Sequence, residues 1–353
     1  MSRRAEVIVA GAGALGLSTA LALAEAGCSV TVCDPEKEAN ASAVAAGMLA
    51  PVFEAVLDAG AAGDLDLLLA ARNLWPRLAA RTGIEIDRSG AVAVGSEAWL
   101  AAVRAGLTRL GLRGADLPRA MLEDYAPGIA PGLLAVLMRE DWRLEPRPAL
   151  HALRRAARAA GVAFRSEAVT GRGAADWLVA ATGAAQGLAD VAPELGRLAP
   201  IKGQILRFSG VRGGRISLRG EGAYAVPGAD GLAVGATMEP GVCDTRVDLV
   251  ALEPLVRAAG RLFPGLADAA FGASAGVRAT TADGLPMVGL SGAPGVLLAV
   301  GARRNGWLLA PLVAEIVTAC VTGRDPGPYA ARFDPARFDP ARFEPGRSGG
   351  GAR

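Results

Sequence analysis

The chain has 353 residues, of which 52% are hydrophobic and 20% charged. That is too long for one small core, and two domains with a large buried fraction are expected. Its 37 basic and 35 acidic residues leave a formal net charge of +2, so no basic face is on offer to nucleic acid.

The opening segment, MSRRAEVIVAGAGALG, has two arginines but is not read as a signal peptide. Cleavage there would remove a glycine motif that has a purpose only in the mature protein. Glu6–Ala10 is a short apolar run of the kind a buried parallel strand uses. Gly11, Gly13 and Gly16 follow, then a strong helix former stopped by Gly27, then a second strand (29–34) ending in Asp34. Strand, glycine turn, helix, strand and acid form one βαβ unit. Gly11 gives the tight exit from the strand, Gly13 lets a pyrophosphate approach the backbone, and Gly16 lets helix and strand pack. The phosphates would face the N–H groups at the helix N-terminus. Asp34, 18 residues past Gly16, is placed to accept from an adenosine ribose. With Glu36 and Glu38 beside it, a 2′-phosphate is disfavoured. The alternative is an ordinary strand-end surface acid.

Residues 41–51, ASAVAAGMLAP, are small and end at a proline, as backbone packed close against something would be. Helical spacing at 63–81 and 97–110 brackets a strand at 90–95. Residues 147–161 form an amphipathic helix, and 176–183 a buried strand running into glycine. From 201 to 237 the pattern turns to antiparallel sheet, followed by a helical piece at 247–262. Strand, glycine turn and helix recur at 295–300, 301–306 and 307–320. No window reaches about 18 uninterrupted apolar residues, so no membrane span is expected. The four cysteines show no C-x-x-C, and the single histidine, His151, reads as a surface or packing residue. No metal site is predicted, and the thiols are read as reduced in a cytoplasmic protein.

The βαβ unit alone leaves FAD and NAD open. The second glycine turn favours FAD, because a helix N-terminus near 306–307 would stabilise the negative charge of a reduced flavin. The tail repeats ARFDP, ARFDP, ARFEP over 331–345, a period of neither helix nor strand. It is expected to be extended or disordered, the alternative being a peptide that docks on a partner through its Arg-Phe pairs.

Arg278 is the one cation in the largely apolar stretch AGVRATTADGLPMVG (275–289). A buried guanidinium is costly unless an anion meets it. The candidates are a substrate carboxylate, gripped in the two-pronged geometry of arginine, or a structural acid such as Asp283.

Four segments carry a resemblance: ASAVAAGMLAP (41–51), PIKGQIL (200–206), YAVPGADGLAVGATMEPG (224–241), and 275–289 together with GARRNGWLLAP (301–311). On these the chain resembles the flavin-dependent amine oxidases of the D-amino acid oxidase superfamily, and within it the glycine oxidases. The resemblance implies an α/β fold, with a Rossmann-like FAD domain (1–50, 142–198, 276–328) interleaved with an antiparallel-sheet substrate domain (51–141, 199–275). Residues 329–353 would be a low-complexity tail. It implies noncovalent FAD, since no cysteine lies between 244 and 319, where sarcosine oxidases tether theirs.

By the same resemblance Arg278 pairs with the substrate carboxylate, Tyr224 hydrogen-bonds it, and Arg304 lies near the ring or substrate. Met48 and Ala50 are small-pocket positions. The cofactor would be held by Gly11, Gly13, Ala14, Leu15, Gly16, Asp34, Ser42, Ala45, Ala46, Gly47, Met48, Val169, Thr182, Gly183, Arg278, Arg304, Asn305, Gly306 and Trp307. For Tyr224 the alternative is a core tyrosine on a strand. The implied activity is oxidation of glycine by O₂ to its imine or glyoxylate, with ammonia and H₂O₂, serving the thiazole of thiamine. A homo-oligomer is compatible. The alternatives are a D-amino acid or sarcosine oxidase or dehydrogenase, or an inactive flavin-binding module. Two departures widen the choice: Gly222-Ala223-Tyr224 stands where similar sequences carry His-x-Tyr, and Ala302-Arg303 where they carry His and an aromatic. Either the pocket is wider, or Arg303 fills part of it.

Overall fold

The computed structural model describes residues 3–35, 40–211 and 213–339, without the side chain of Ala59. Strand β1 (Glu6–Ala10), helix α1 (Ala14–Glu25) and strand β2 (Ser29–Cys33) form the predicted βαβ unit. β1 lies between β2 and the strand Trp177–Ala180, parallel to both. The whole sheet has six strands, in the order Met287–Leu290, Val296–Val300, Trp177–Ala180, β1, β2, Ala163–Arg165. All pairs are parallel except the first. α1 packs on the long helix Gly306–Thr322, whose buried Leu308, Leu309, Val313 and Val317 share one core with Leu17 and Leu21 of α1. Such two-sided burial explains why these strands read as continuous apolar runs.

The second sheet has nine strands. Its spine is Ala199–Ser209, flanked by Gly231–Gly235 and Gly272–Thr280. Ala223–Gly228 and Ser217–Gly220 continue it. Ser217–Gly220 then joins Ala91–Gly95 in a parallel pair, an exception to the antiparallel expectation. The helix Leu249–Leu262 covers one face through Leu252, Leu255, Ala259 and Leu262. Between the sheets run α2 (Ala41–Val44), β3 (Met48–Leu49) and α3 (Pro51–Leu57), the small-residue segment of the sequence.

The tail corrects one expectation. Residues 331–339 are ordered, with a helical turn over Ala330–Phe333 and a 3₁₀ turn over Pro335–Phe338. Phe333 is fully buried in the core beneath the first sheet. Arg332 pairs with Asp64 and Asp66, and Arg337 with Asp283. Asp334 accepts from the Ala336 N–H (2.9 Å) and so caps the second turn. A five-residue period therefore encodes two turns, the second capped by Asp334, whose Arg and Phe side chains dock on the chain's own body. The remaining repeat lies outside the described residues.

Candidate active site and cofactor cleft

The glycine turn is built for close approach. Gly11 has φ +112°, and a Cβ there would strike the backbone of Ala181; one on Gly16 would strike the Gly11 carbonyl. Asp34 reaches back from the end of β2 to accept from the Ala12 N–H (2.6 Å). The Ser42 hydroxyl accepts from the Ala14 N–H (3.0 Å) and stands against Gly13. The first turn of α1 holds no acid. A helix N-terminus, a backbone turn bare of Cβ atoms and an acid at the end of the second strand suit a dinucleotide such as FAD. Thr182 and Gly183 follow the strand Trp177–Ala180 at the same carboxyl edge of the sheet, and Val169 packs against it.

A cavity of about 380 Å³ opens between the two sheets. One wall is Ala45, Ala46, Gly47 and Met48; another is Arg304, Asn305 and Trp307. Trp307 is pinned, its Nε1 donating to the Ser42 carbonyl (3.0 Å). Ala50 does not line the cavity: it is buried at the start of α3. Gly306 begins the long helix behind the wall.

The floor is the face of the nine-stranded sheet. Arg219, Tyr224, Gly235 and Ile205 stand directly opposite one another on four adjacent strands. The Tyr224 ring lies across Gly235 and the Arg278 guanidinium across Gly203, where a Cβ would collide with each. Two glycines in the sheet thus make room for the two side chains. Among the described residues Arg278 has no carboxylate partner; it donates to the Thr237 carbonyl (3.4 Å) and contacts the Met238 sulfur (3.3 Å). Asp283, the structural alternative, is taken by Arg337 and Thr281. Burial pushes the Arg278 guanidinium below its ordinary pKa. It also pushes the Tyr224 phenol up, so the phenol is a neutral donor at pH 7. Tyr224 lines the cavity, and its hydroxyl makes no hydrogen bond among the described residues.

Sequence reading missed the charged network of the remaining wall. Glu54, on α3, is 5% exposed. One of its oxygens accepts from Arg219 (2.6 Å) and the other from Arg304 (2.7 Å). Arg304 also reaches Asp58 (2.9 Å), which pairs with Arg303. Burial alone would raise the Glu54 carboxyl, but the two guanidiniums outweigh it and hold it below its ordinary value. Arg304 therefore lines the cavity with its charge already met. Arg303 is not in the cavity lining; at φ +47° its side chain turns to Asp58. With glycine at 222 and Arg303 turned away, the cavity is left wide on that side.

α3 is placed by a remote cap. Asp141, fully buried, accepts from the Val52 (2.8 Å) and Phe53 (3.0 Å) N–H groups. Burial raises its carboxyl to about 7, against the pull of those donors and of Arg219. His151 lies exposed on Pro146–Ala159, away from the cavity lining. Among the described residues no acid, cysteine or histidine cluster could hold a metal, and no helix is long and apolar enough to cross a membrane.

Comparison with known proteins agrees with this architecture. The chain is 36% identical over 168 residues to the glycine oxidase of Pseudomonas putida, covering 44% of this chain and 46% of that protein. It is 30% identical over 370 residues to the bifunctional protein ThiO/ThiG of Synechocystis, covering 95% of this chain and 54% of that protein. The chain spans about half the length of these curated relatives. The crystal structure of glycine oxidase from Geobacillus kaustophilus superposes with a TM-score of 0.82 at 26% identity, over 96% of this chain and 100% of that one. A family model, DAO, described as FAD dependent oxidoreductase, matches residues 6–320. The chain is an FAD-dependent oxidoreductase of the DAO family.

Proposed function

We propose that the protein oxidises glycine, with FAD held noncovalently and O₂ as the electron acceptor. The carrying observation is Arg278: a half-buried guanidinium in a cavity, with no carboxylate partner among the described residues. A substrate α-carboxylate supplies the anion, bound by the planar fork. The neutral Tyr224 hydroxyl donates a second hydrogen bond. FAD, when bound, would supply the acceptor for the hydride of Cα. The chain's task is orientation: Arg278 and Tyr224 fix one end of a small zwitterion, and Met48 and Trp307 wall the space around its α-carbon. The substrate ammonium sheds its proton to solvent, so no side-chain base is required. The glycine turn, Asp34 and Ser42 would hold the dinucleotide half of the cofactor; Ala45–Met48 and Arg304–Trp307 would flank the ring.

The names of the relatives support a place in thiazole assembly for thiamine, with the glycine imine as product. Within this reading segments 1–50, 142–198 and 276–328 form the cofactor domain, and the thiols (Cys28, Cys33, Cys243, Cys320), all free, suit the reducing cytoplasm. The test is anaerobic bleaching of bound flavin by glycine, in the parent and in Arg278→Ala. Bleaching is expected in the parent. In the variant a loss of about 3–5 kcal/mol of substrate interaction is expected. A yellow parent that glycine, sarcosine and D-alanine all leave unbleached would refute the reading.

A further inference from the structure

The charges lining the cavity do not cancel. Arg219, Arg278 and Arg304 face it, against the single carboxylate of Glu54. Asp58 and Arg303, one layer back, balance each other. Asp141, behind α3, accepts from the Val52 and Phe53 N–H groups, and its carboxyl, raised to about 7, is only part-ionised at neutral pH. The lining side chains therefore carry two positive charges in excess, of which Asp141 offsets a part, and the α-carboxylate of a monocarboxylic substrate meets one of them. Such an excess costs stability unless a ligand offsets it.

The side chains show where the second charge lies. Arg304 has two carboxylates, Glu54 and Asp58, both met by its Nη2. Arg219 has one. It is 8% exposed and reaches Glu54 through Nη2 alone. Its Nε is buried without a hydrogen-bond partner, a costly omission for a charged donor. It stands on the strand next to Tyr224, 6.0 Å from that ring, while Arg278 lies on the opposite flank beyond Gly235. Tyr224 thus sits between two guanidiniums on one sheet face. Gly220 and Gly222 line the cavity beside Arg219.

We propose that Arg219 is a specificity-determining residue, and that the preferred substrates are short amino or imino acids with a second carboxylate, the first held by Arg278 and the second by Arg219. This rests on the amine-oxidase reading above and names the substrate class of the same site. Glycine occupies only the Arg278 half.

Binding separates the two. Malonate and acetate, neither oxidisable as an amine, are titrated into the yellow holoenzyme and followed through the visible flavin spectrum. Malonate should bind at least about tenfold more tightly than acetate, the scale of one added charged hydrogen-bonded pair. Arg219→Met should abolish that ratio and Arg219→Lys should keep most of it. In turnover, the parent should favour N-(carboxymethyl)glycine or D-aspartate over glycine in kcat/KM, and Arg219→Met should reverse the order. Glycine oxidation with no malonate advantage overturns the second-carboxylate site and leaves the oxidase reading standing. A malonate advantage with no amine oxidised does the opposite. If Arg219→Met does not retain flavin, the parent's malonate-to-acetate ratio and the Lys variant still decide.

Discussion

The two sheets would contribute to the proposed site in different ways. At the six-stranded sheet the candidate groups are mostly backbone: N–H groups at α1, and glycines whose missing Cβ atoms let Ala181 and the helix close in. At the nine-stranded sheet they are long charged side chains drawn from elements far apart in sequence, Glu54, Arg219, Arg278 and Arg304. A backbone site is local and tolerates little change in its glycines. A side-chain site is a balance of charges, and its energy depends on which partners the fold delivers.

Substitutions should expose that contrast, beginning with the charge network. Glu54→Gln strips Arg219 and Arg304 of a shared buried partner, and about 3–5 kcal/mol of stability should be lost. The loss should register in denaturant titration and, by hydrogen exchange, in α3 and Ser217–Gly220 before β1 or α1. Uniform deprotection of both sheets would contradict the division. Phe333→Ala works on the other side. Emptying its buried site should cost about 3 kcal/mol, seen as faster exchange in Gly306–Thr322 with the nine-stranded sheet unaffected.

Gly11→Ala places a methyl group against the Ala181 carbonyl at a φ only glycine adopts easily. About 2 kcal/mol of strain is expected, together with FAD lost on gel filtration, while the Arg278 wall keeps its exchange protection. Retention of a full complement of flavin would show that the glycine turn is not what admits the cofactor.

The last effect is a pH slope. The Asp141 carboxyl is raised to about 7 when folded, from an ordinary value near 3.8. The folded state therefore binds more protons between these values. Its contribution to stability is full below about pH 4 and declines as pH rises to about 7. The melting temperature should fall across that window, and Asp141→Asn should flatten the fall. An unchanged slope in the variant would remove Asp141 as its source.

The βαβ unit, Asp34, the recurrence at 295–320 and the lone Arg278 could all be read directly from the chain. Each is a contiguous pattern whose physics acts within a few dozen residues: apolar runs make buried strands, glycines make close turns, and a cation among apolar neighbours needs an anion. Glu54 and Arg219 gave no such signal, because their meaning lies in a contact spanning 165 positions. Gly203 and Gly235 likewise read as ordinary strand glycines until strand register set Arg278 and Tyr224 over them. The tail misled for a related reason. A five-residue repeat has no regular secondary structure of its own, and only a buried site for Phe333 and acids for Arg332 and Arg337 give it one. Local sequence determined the backbone architecture and the cofactor cleft. The arrangement of charge in the cavity was decided by tertiary structure, because Coulomb energy and desolvation depend on distance in space and not on separation along the chain.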